Sequence, residues 1–159
     1  MPEKLHPNIE KVAAALEEHE VSGEIVVFAE ATPTAATAAA QLGCEVGAIA
    51  NSLVFDADGQ PLLVLTSGAH RVDTDLIAQT VGAAKVKRAT PEFVRAATGQ
   101  VIGGVAPIGH PAPLRTLVDT WLERHEVVWA AAGHPHTVFP TSFAELVRIT
   151  GGTPAQVER

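Results

Sequence analysis

Cysteine is almost missing from this chain of 159 residues: Cys44 stands alone. No internal disulfide can form, and the expected compartment is the reducing cytoplasm. Cys44 follows Leu42-Gly43 and reads as a small buried hydrophobe in preference to a nucleophile. Long apolar runs are missing too, which argues against a helical membrane span and a membrane partner. Met1-Pro2-Glu3-Lys4 carries neither the basic nor the apolar region of a signal peptide. Positive charge is in deficit: 11 Lys and Arg against 18 Asp and Glu leave a formal charge of −7. That excludes a protein that grips long DNA, but not one that holds a short nucleic-acid end through a local patch. Lys85, Lys87, Arg88 and Arg95, with Arg71, form the candidate patch. The same residues read equally well as a solvated edge strand guarded by charge.

Signatures of familiar chemistry are absent as well. There is no His-Glu-x-x-His, no cysteine cluster and no P-loop. No Gly-x-Ser-x-Gly elbow is found, and Ser52 and Ser67 have no base visible in the sequence. Gly133-His134-Pro135-His136 sets two histidines two apart, with His110 as a third potential ligand, but no acidic companion supports a metal. No metal and no cofactor are therefore expected. For His134 the alternatives are an exposed loop position or a side chain that hydrogen-bonds a substrate or acts in acid–base chemistry. His6, His19, His70 and His125 offer no further signal.

What is present suits one folded domain over residues 1–159: 47% of the residues are hydrophobic, with no repeat or linker. Ile9, Val12, Ala13 and Leu16 mark an amphipathic first helix. Glu24 to Phe28 reads as a strand, and the alanine-rich stretch after Thr32-Pro33 as a helix closed by Gly43. A strand from Val46 to Phe55 turns through Asp56-Ala57-Asp58-Gly59 into a second, Pro61 to Thr66. A helix from Asp73 to Val81 precedes a strand from Lys85 to Arg88. Thr90-Pro91-Glu92 opens another helix, stopping near Gly99. Strands are expected at Leu114–Val118, Val127–Ala131 and His136–Phe139, and a short helix at Asp119–Arg124. Ser142 and Glu145 form a capping box for a last helix ending at Gly151. Hairpins among interleaved helices predict an α+β (mixed α/β) fold with a mixed sheet.

Three features bear on function. Val101-Ile102-Gly103-Gly104-Val105-Ala106-Pro107-Ile108-Gly109-His110 suits neither a helix nor a strand interior. It fits either a tight structural turn or a loop that aims backbone N–H groups at a ligand. Strand alternation puts Asn51 with Ile49, Leu53 and Phe55, predicting a buried amide bonded to a nearby loop or set at a pocket floor. Asp119, after Leu117-Val118, reads as a buried carboxylate that orients the glycine loop or caps the next helix.

Taken together, these residues resemble the YbaK/ProX family, relatives of the editing domain inserted in bacterial prolyl-tRNA synthetases. The resemblance runs from about Ala31 to Gly151. It rests on Gly43-x-Glu45, Asn51-Ser52-Leu53-Val54-Phe55, Gly82-Ala83-x-Lys85, Pro91-x-x-Val94, Thr98-Gly99, Gly103-Gly104-Val105-x-Pro107-Ile108-Gly109, Asp119 and Gly133. It implies a strongly curved, mainly antiparallel sheet or barrel with surrounding helices. It also implies a trans-acting deacylase that hydrolyses the ester of a small amino acid misattached to tRNA, with tRNA-Pro as the candidate carrier. The implied partners are the acceptor end of aminoacyl-tRNA and an aminoacyl-tRNA synthetase. Gly103 and Gly104 would supply main-chain contacts to the ester and the attacking water, with Asn51 beside them. Ser52, His134, Gly133, Pro107, Gly109 and Asp119 would bind substrate or brace the loop. Ala48 and Ala50 would make the pocket compact. Many family members have lysine where this chain has Asn51, and Ser-Gly-Gly in some relatives is Ala131-Ala132-Gly133 here. A catalytically weakened tRNA- or synthetase-binding module is the alternative.

Overall fold

Local sequence signals set most of the element ends. In the computed structural model, which describes residues 7–21, 23–28, 35–100, 105–110, 114–133 and 137–158, the first helix α1 spans Pro7–Glu18. It buries Ile9, Val12 and Leu16, one stripe at helical spacing. Strand β1 is only Val26–Val27, shorter than expected. Helix α2 covers Ala35–Leu42 and is followed by Gly43 at φ +68°; the expected start at Thr32-Pro33 lies outside the described residues. The next expected strand begins instead as a single 3-10 turn, Val46–Ala48, before β2 at Ile49–Ala57.

A two-residue turn with Asp58 at φ +53° and Gly59 at φ +87° joins β2 to β3, Gln60–Ser67. Asp56 Oδ1 accepts from Gly59 N at 2.7 Å, tightening the turn. Helix α3, Thr74–Val81, is capped by the Asp73 carboxylate, and β4 follows at Val86–Arg88. Helix α4, Pro91–Thr98, has the Thr90 hydroxyl accepting from Phe93 N and ends on Gly99 in the left-handed region. Strand β5, Arg115–Asp119, leads into a 3-10 helix at Thr120–Arg124. Strands β6, Val128–Ala131, and β7, Thr137–Thr141, precede α5, Phe143–Thr150, whose Ser142 cap accepts from Glu145 N. The Glu145 carboxylate accepts from Thr141 Oγ1 at 2.7 Å, so the cap is one-sided among the described bonds. A strand absent from the sequence reading, β8 at Thr153–Ala155, pairs parallel with β5. Pro154 weakens its strand signal, and the outer edge of the sheet tolerates the missing donor.

The eight strands form one mixed sheet ordered β1-β7-β6-β2-β3-β5-β8, with β4 also on β2. The sheet is open, so the barrel alternative is set aside. Strand β3 is internal, between β2 and β5, and its alternate residues feed two cores. Leu63 and Leu65 meet Val12, Val94, Leu122 and Leu146 on one side. Leu62 and Val64 meet Phe55, Ile77, Val86 and Leu117 on the other. All four β3 leucine and valine side chains are essentially inaccessible, each contributing about 1.5–3 kcal/mol of burial.

One consequence of the pairing positions the site. Strand β2 pairs along its length with β3, but its opposite edge is shared. β6 takes Ile49 and Ala50, and β4 takes Phe55 to Ala57. Residues 51–54 have no described strand on that side, leaving a gap in the sheet.

Candidate active site

At this gap the structure contains a cavity of about 440 Å³. Asn51 and Ser52 of β2 line it, with Thr66 of β3 and His70 and Arg71 from the turn that follows. Leu53, Val54, Val94 and Val105 make its apolar walls, and Arg88 of β4 stands at its side. Consecutive β2 residues contribute because the open edge exposes both faces of the strand.

Asn51 is exposed. The predicted buried amide is therefore corrected: alternation assumes covered faces, and beside the gap the side chain meets solvent and cavity. Ser52 Oγ is different, being buried without a hydrogen-bond partner among the described residues. Such a hydroxyl is costly unless a ligand or water completes it. The compact alanine wall is also corrected. Ala48 and Ala50 are buried, and Ala50 belongs to the main core.

Asp119 lies behind the cavity, only 1% exposed. Its Oδ1 accepts from Trp121 N at 2.9 Å, capping the 3-10 helix as one of the two sequence readings proposed. Its Oδ2 accepts from Ser67 N at 2.9 Å and faces His70 Nδ1 at 2.7 Å. The carboxylate thus braces the turn at 67–70, where the other sequence reading had it orienting the glycine loop. It is not among the residues lining this cavity. His70, passed over in the sequence, is the residue this geometry brings forward; its acidic partner is 49 positions away and leaves no linear signal.

Within the glycine-rich segment, residues 101–104 lie outside the described residues, so Gly103 and Gly104 have no described placement; the same holds for His134 and His136. The segment's downstream foot is well defined. Ala106 N donates to Gln100 Oε1 at 2.7 Å, and His110 Nε2 donates to Ala106 O at 2.8 Å. Burial pulls the His110 pKa below its ordinary value, and the bond to Ala106 only partly offsets this. The Nε2 proton is thus committed to the main chain. Among the described residues no three His, Cys, Asp or Glu side chains form a metal-binding group.

Three other expected substrate contacts have packing roles. Pro107 is buried. Gly109, at φ +87°, has Val12 Cγ2 3.2 Å from where a Cβ would stand. Gly133, at φ +98°, has Asn8 O at 2.8 Å from the same point. The two glycines let helix α1 lie directly on the turns, and neither lines this cavity. Cys44 packs beside Ala38, Ala39 and Ile49, and burial raises its thiol pKa, as suits a packing residue.

Arg71 and Arg88 give the cavity a cationic side, and neither is ion-paired among the described residues. Among the described residues strand β4 pairs only with β2, and Lys87 and Arg88 are exposed on it. Of the two, Arg88 lines the cavity and Lys87 does not.

The open mixed sheet thus carries a polar, cation-flanked cavity at the gap beside β2, and comparison with known proteins gives its family. Residues 29–149 match the aminoacyl-tRNA editing domain family, and the chain belongs to it. This bears out the YbaK/ProX resemblance. Among the relatives, the uncharacterized protein YwhH of Bacillus subtilis (strain 168) is 30% identical over 77% of this chain and 78% of its own length. The proline–tRNA ligase of Nitratidesulfovibrio vulgaris (strain DP4) is 34% identical over 52% of this chain, but that match spans only 14% of the ligase. A solved structure of a protein proposed as a trans-editing enzyme for prolyl tRNA synthetase superposes with a TM-score of 0.92. It is 38% identical and covers 98% of this chain and 99% of the other. The hypothetical protein APE2540 superposes with a TM-score of 0.85 at 28% identity, over 92% and 98% of the two chains.

Proposed function

We propose that this chain, acting as one domain over residues 1–159, is a trans-acting deacylase that clears misacylated tRNA. The observation that carries this reading is the unpartnered Ser52 hydroxyl inside a cavity of about 440 Å³ in an editing-domain chain. That volume falls in the range of small-ligand sites, roughly 300–1,000 Å³. It suits an aminoacyl group with part of its ribose.

In this reading Asn51 and Ser52 hydrogen-bond the ribose or the amino-acid carbonyl, and Arg71 and Arg88 attract the terminal phosphate. Gly103 and Gly104 offer main-chain N–H groups to the ester oxygen, and His134 touches the aminoacyl group or the last nucleotide. A water adds to the carbonyl, and the ribose oxygen leaves. The family mechanism requires neither a protein nucleophile nor a metal, so activity should survive a chelator. Apolar walls discriminate one methylene by only about 10–200-fold, so several small amino acids on tRNA-Pro should be accepted. The negative protein meets only the acceptor end, with a synthetase as partner; the cytoplasm, where charged tRNA is made, is the proposed compartment. No described helix is long and apolar enough to cross a membrane.

The test is a panel of mischarged tRNAs, with correctly charged Pro-tRNA as the control. Cleavage of a small-amino-acid ester with the control spared supports the reading. The second reading, a binding module, is favoured by Asn51 standing where many relatives carry lysine, since an amide supplies no cation. Charged tRNA that binds and is never cleaved would select it. Gly104→Ala should slow turnover, and full activity in a folded variant would remove the loop from the site.

A further inference from the structure

Gln100 is a long polar side chain in a buried place. Gly99, at φ +72°, ends α4, and the residue after it is only 2% exposed. We propose that Gln100 is a specificity-determining positioning residue: it holds Val105 in place as a cavity wall and so sets how large an aminoacyl side chain fits. The inference rests on the deacylase reading.

Gln100 Oε1 accepts from Ala106 N, six positions on, at 2.7 Å. Only the amide oxygen can accept, so this bond fixes which way the group points. Nε2 is then left buried with no partner among the described residues. An apolar side chain of the same size would avoid that cost. What the amide provides is a fixed peptide between Val105 and Ala106. Its N–H is held by Gln100, and the carbonyl of the next peptide by His110 Nε2 at 2.8 Å. On the other side, Gln100 N donates to Thr98 Oγ1 at 2.9 Å, and that hydroxyl donates to Val94 O at 2.7 Å. The bonds thus run from Val94 through Thr98 and Gln100 to Ala106, all four residues being buried.

Both ends of this chain of bonds reach the cavity, since Val94 and Val105 line it. Leu53 and Val54 are fixed by the ladder between β2 and β3, and Val94 by helix α4. Val105, by contrast, lies in neither helix nor strand. Its position depends on the side-chain bonds that tie Ala106 to α4. A close-packed wall that cannot withdraw rejects an extra methylene, and one that can withdraw admits it.

The experiment compares single-turnover cleavage of the best ester in the mischarged panel with that of an ester one methylene longer on the same tRNA. The readout is the ratio of the two rates. Gln100→Met keeps the bulk; Ala106 N loses its acceptor while the orphaned Nε2 disappears, so the two effects on stability oppose each other. The ratio should fall at least about fivefold toward unity, chiefly through faster cleavage of the longer ester. A residue serving only the fold would slow both esters alike; an unchanged ratio in folded Gln100→Met overturns this inference and leaves the deacylase reading standing. A wild type that does not discriminate the pair overturns it equally. If Tm shows that Gln100→Met does not fold, Thr98→Val decides, because it breaks the link between Val94 and Gln100. A lower ratio supports the proposal, and the wild-type ratio refutes it. A wild-type protein that cleaves no ester would sink both readings together.

Discussion

Gly133 and Asn8 are in such close apposition that a Cβ on the glycine would stand 2.8 Å from the Asn8 carbonyl oxygen. Gly133 also sits at φ +98°, where side chains are strained. Helix α1 and the turn before β7 therefore meet backbone to backbone. Gly133→Ala should lower stability by about 1–3 kcal/mol through strain and displacement of α1. Thermal unfolding should show a Tm drop of roughly 2–4 °C per kcal/mol for a chain of this size. An unchanged Tm would mean that α1 does not dock as described.

Ser52→Ala removes a buried hydroxyl that has no described partner. Stability should hold or rise, by up to about 1 kcal/mol, because an unmet desolvation cost disappears. Deacylation should nevertheless slow, the signature of a group kept for a ligand. Urea unfolding alongside a rate assay checks both, and a large stability loss would show that Ser52 serves packing.

Asn51 is exposed at the open edge of β2, so Asn51→Ala should change stability by less than about 0.5 kcal/mol. Any loss of cleavage would then report substrate contact. Unchanged cleavage by a folded Asn51→Ala protein would take Asn51 out of the site. Asn51→Lys restores the residue common among relatives and should tighten binding of the acceptor end in a salt-sensitive way.

His110 supplies a pH test. Its pKa is lowered in the folded state, chiefly by burial, with the bond to Ala106 opposing. Above the ordinary histidine value of about 6.5 both states are neutral and nothing is lost. As pH falls through that value the unfolded chain takes up the proton first, so stability declines toward the lowered folded pKa. Wild type should therefore lose more stability than His110→Gln on acidification across that window, measured by denaturant midpoints. Equal losses would refute the assignment.

Much of the local structure was legible because its causes are local. Thr90, Ser142 and Asp73 cap their helices through bonds three or fewer residues away, and Asp58-Gly59 makes its turn by backbone conformation alone. The family, and with it the mixed sheet, was legible from glycine spacing in register with Asn51 and Asp119. The site was legible only in part. Asn51 and Ser52 lie on the cavity, but Gly109 and Gly133 proved to be places where α1 approaches the chain.

The sequence by itself determined where helices start and stop, which turn closes the hairpin and which strand carries the polar pair Asn51-Ser52. Those choices depend on neighbours a few residues apart. Only the tertiary structure decided that β6 and β4 share one edge of β2, so that residues 51–54 open onto a cavity. It alone decided that Asp119 meets His70 and that β8 joins β5. Those contacts depend on how distant strands align in the sheet, and no short window of sequence carries that alignment.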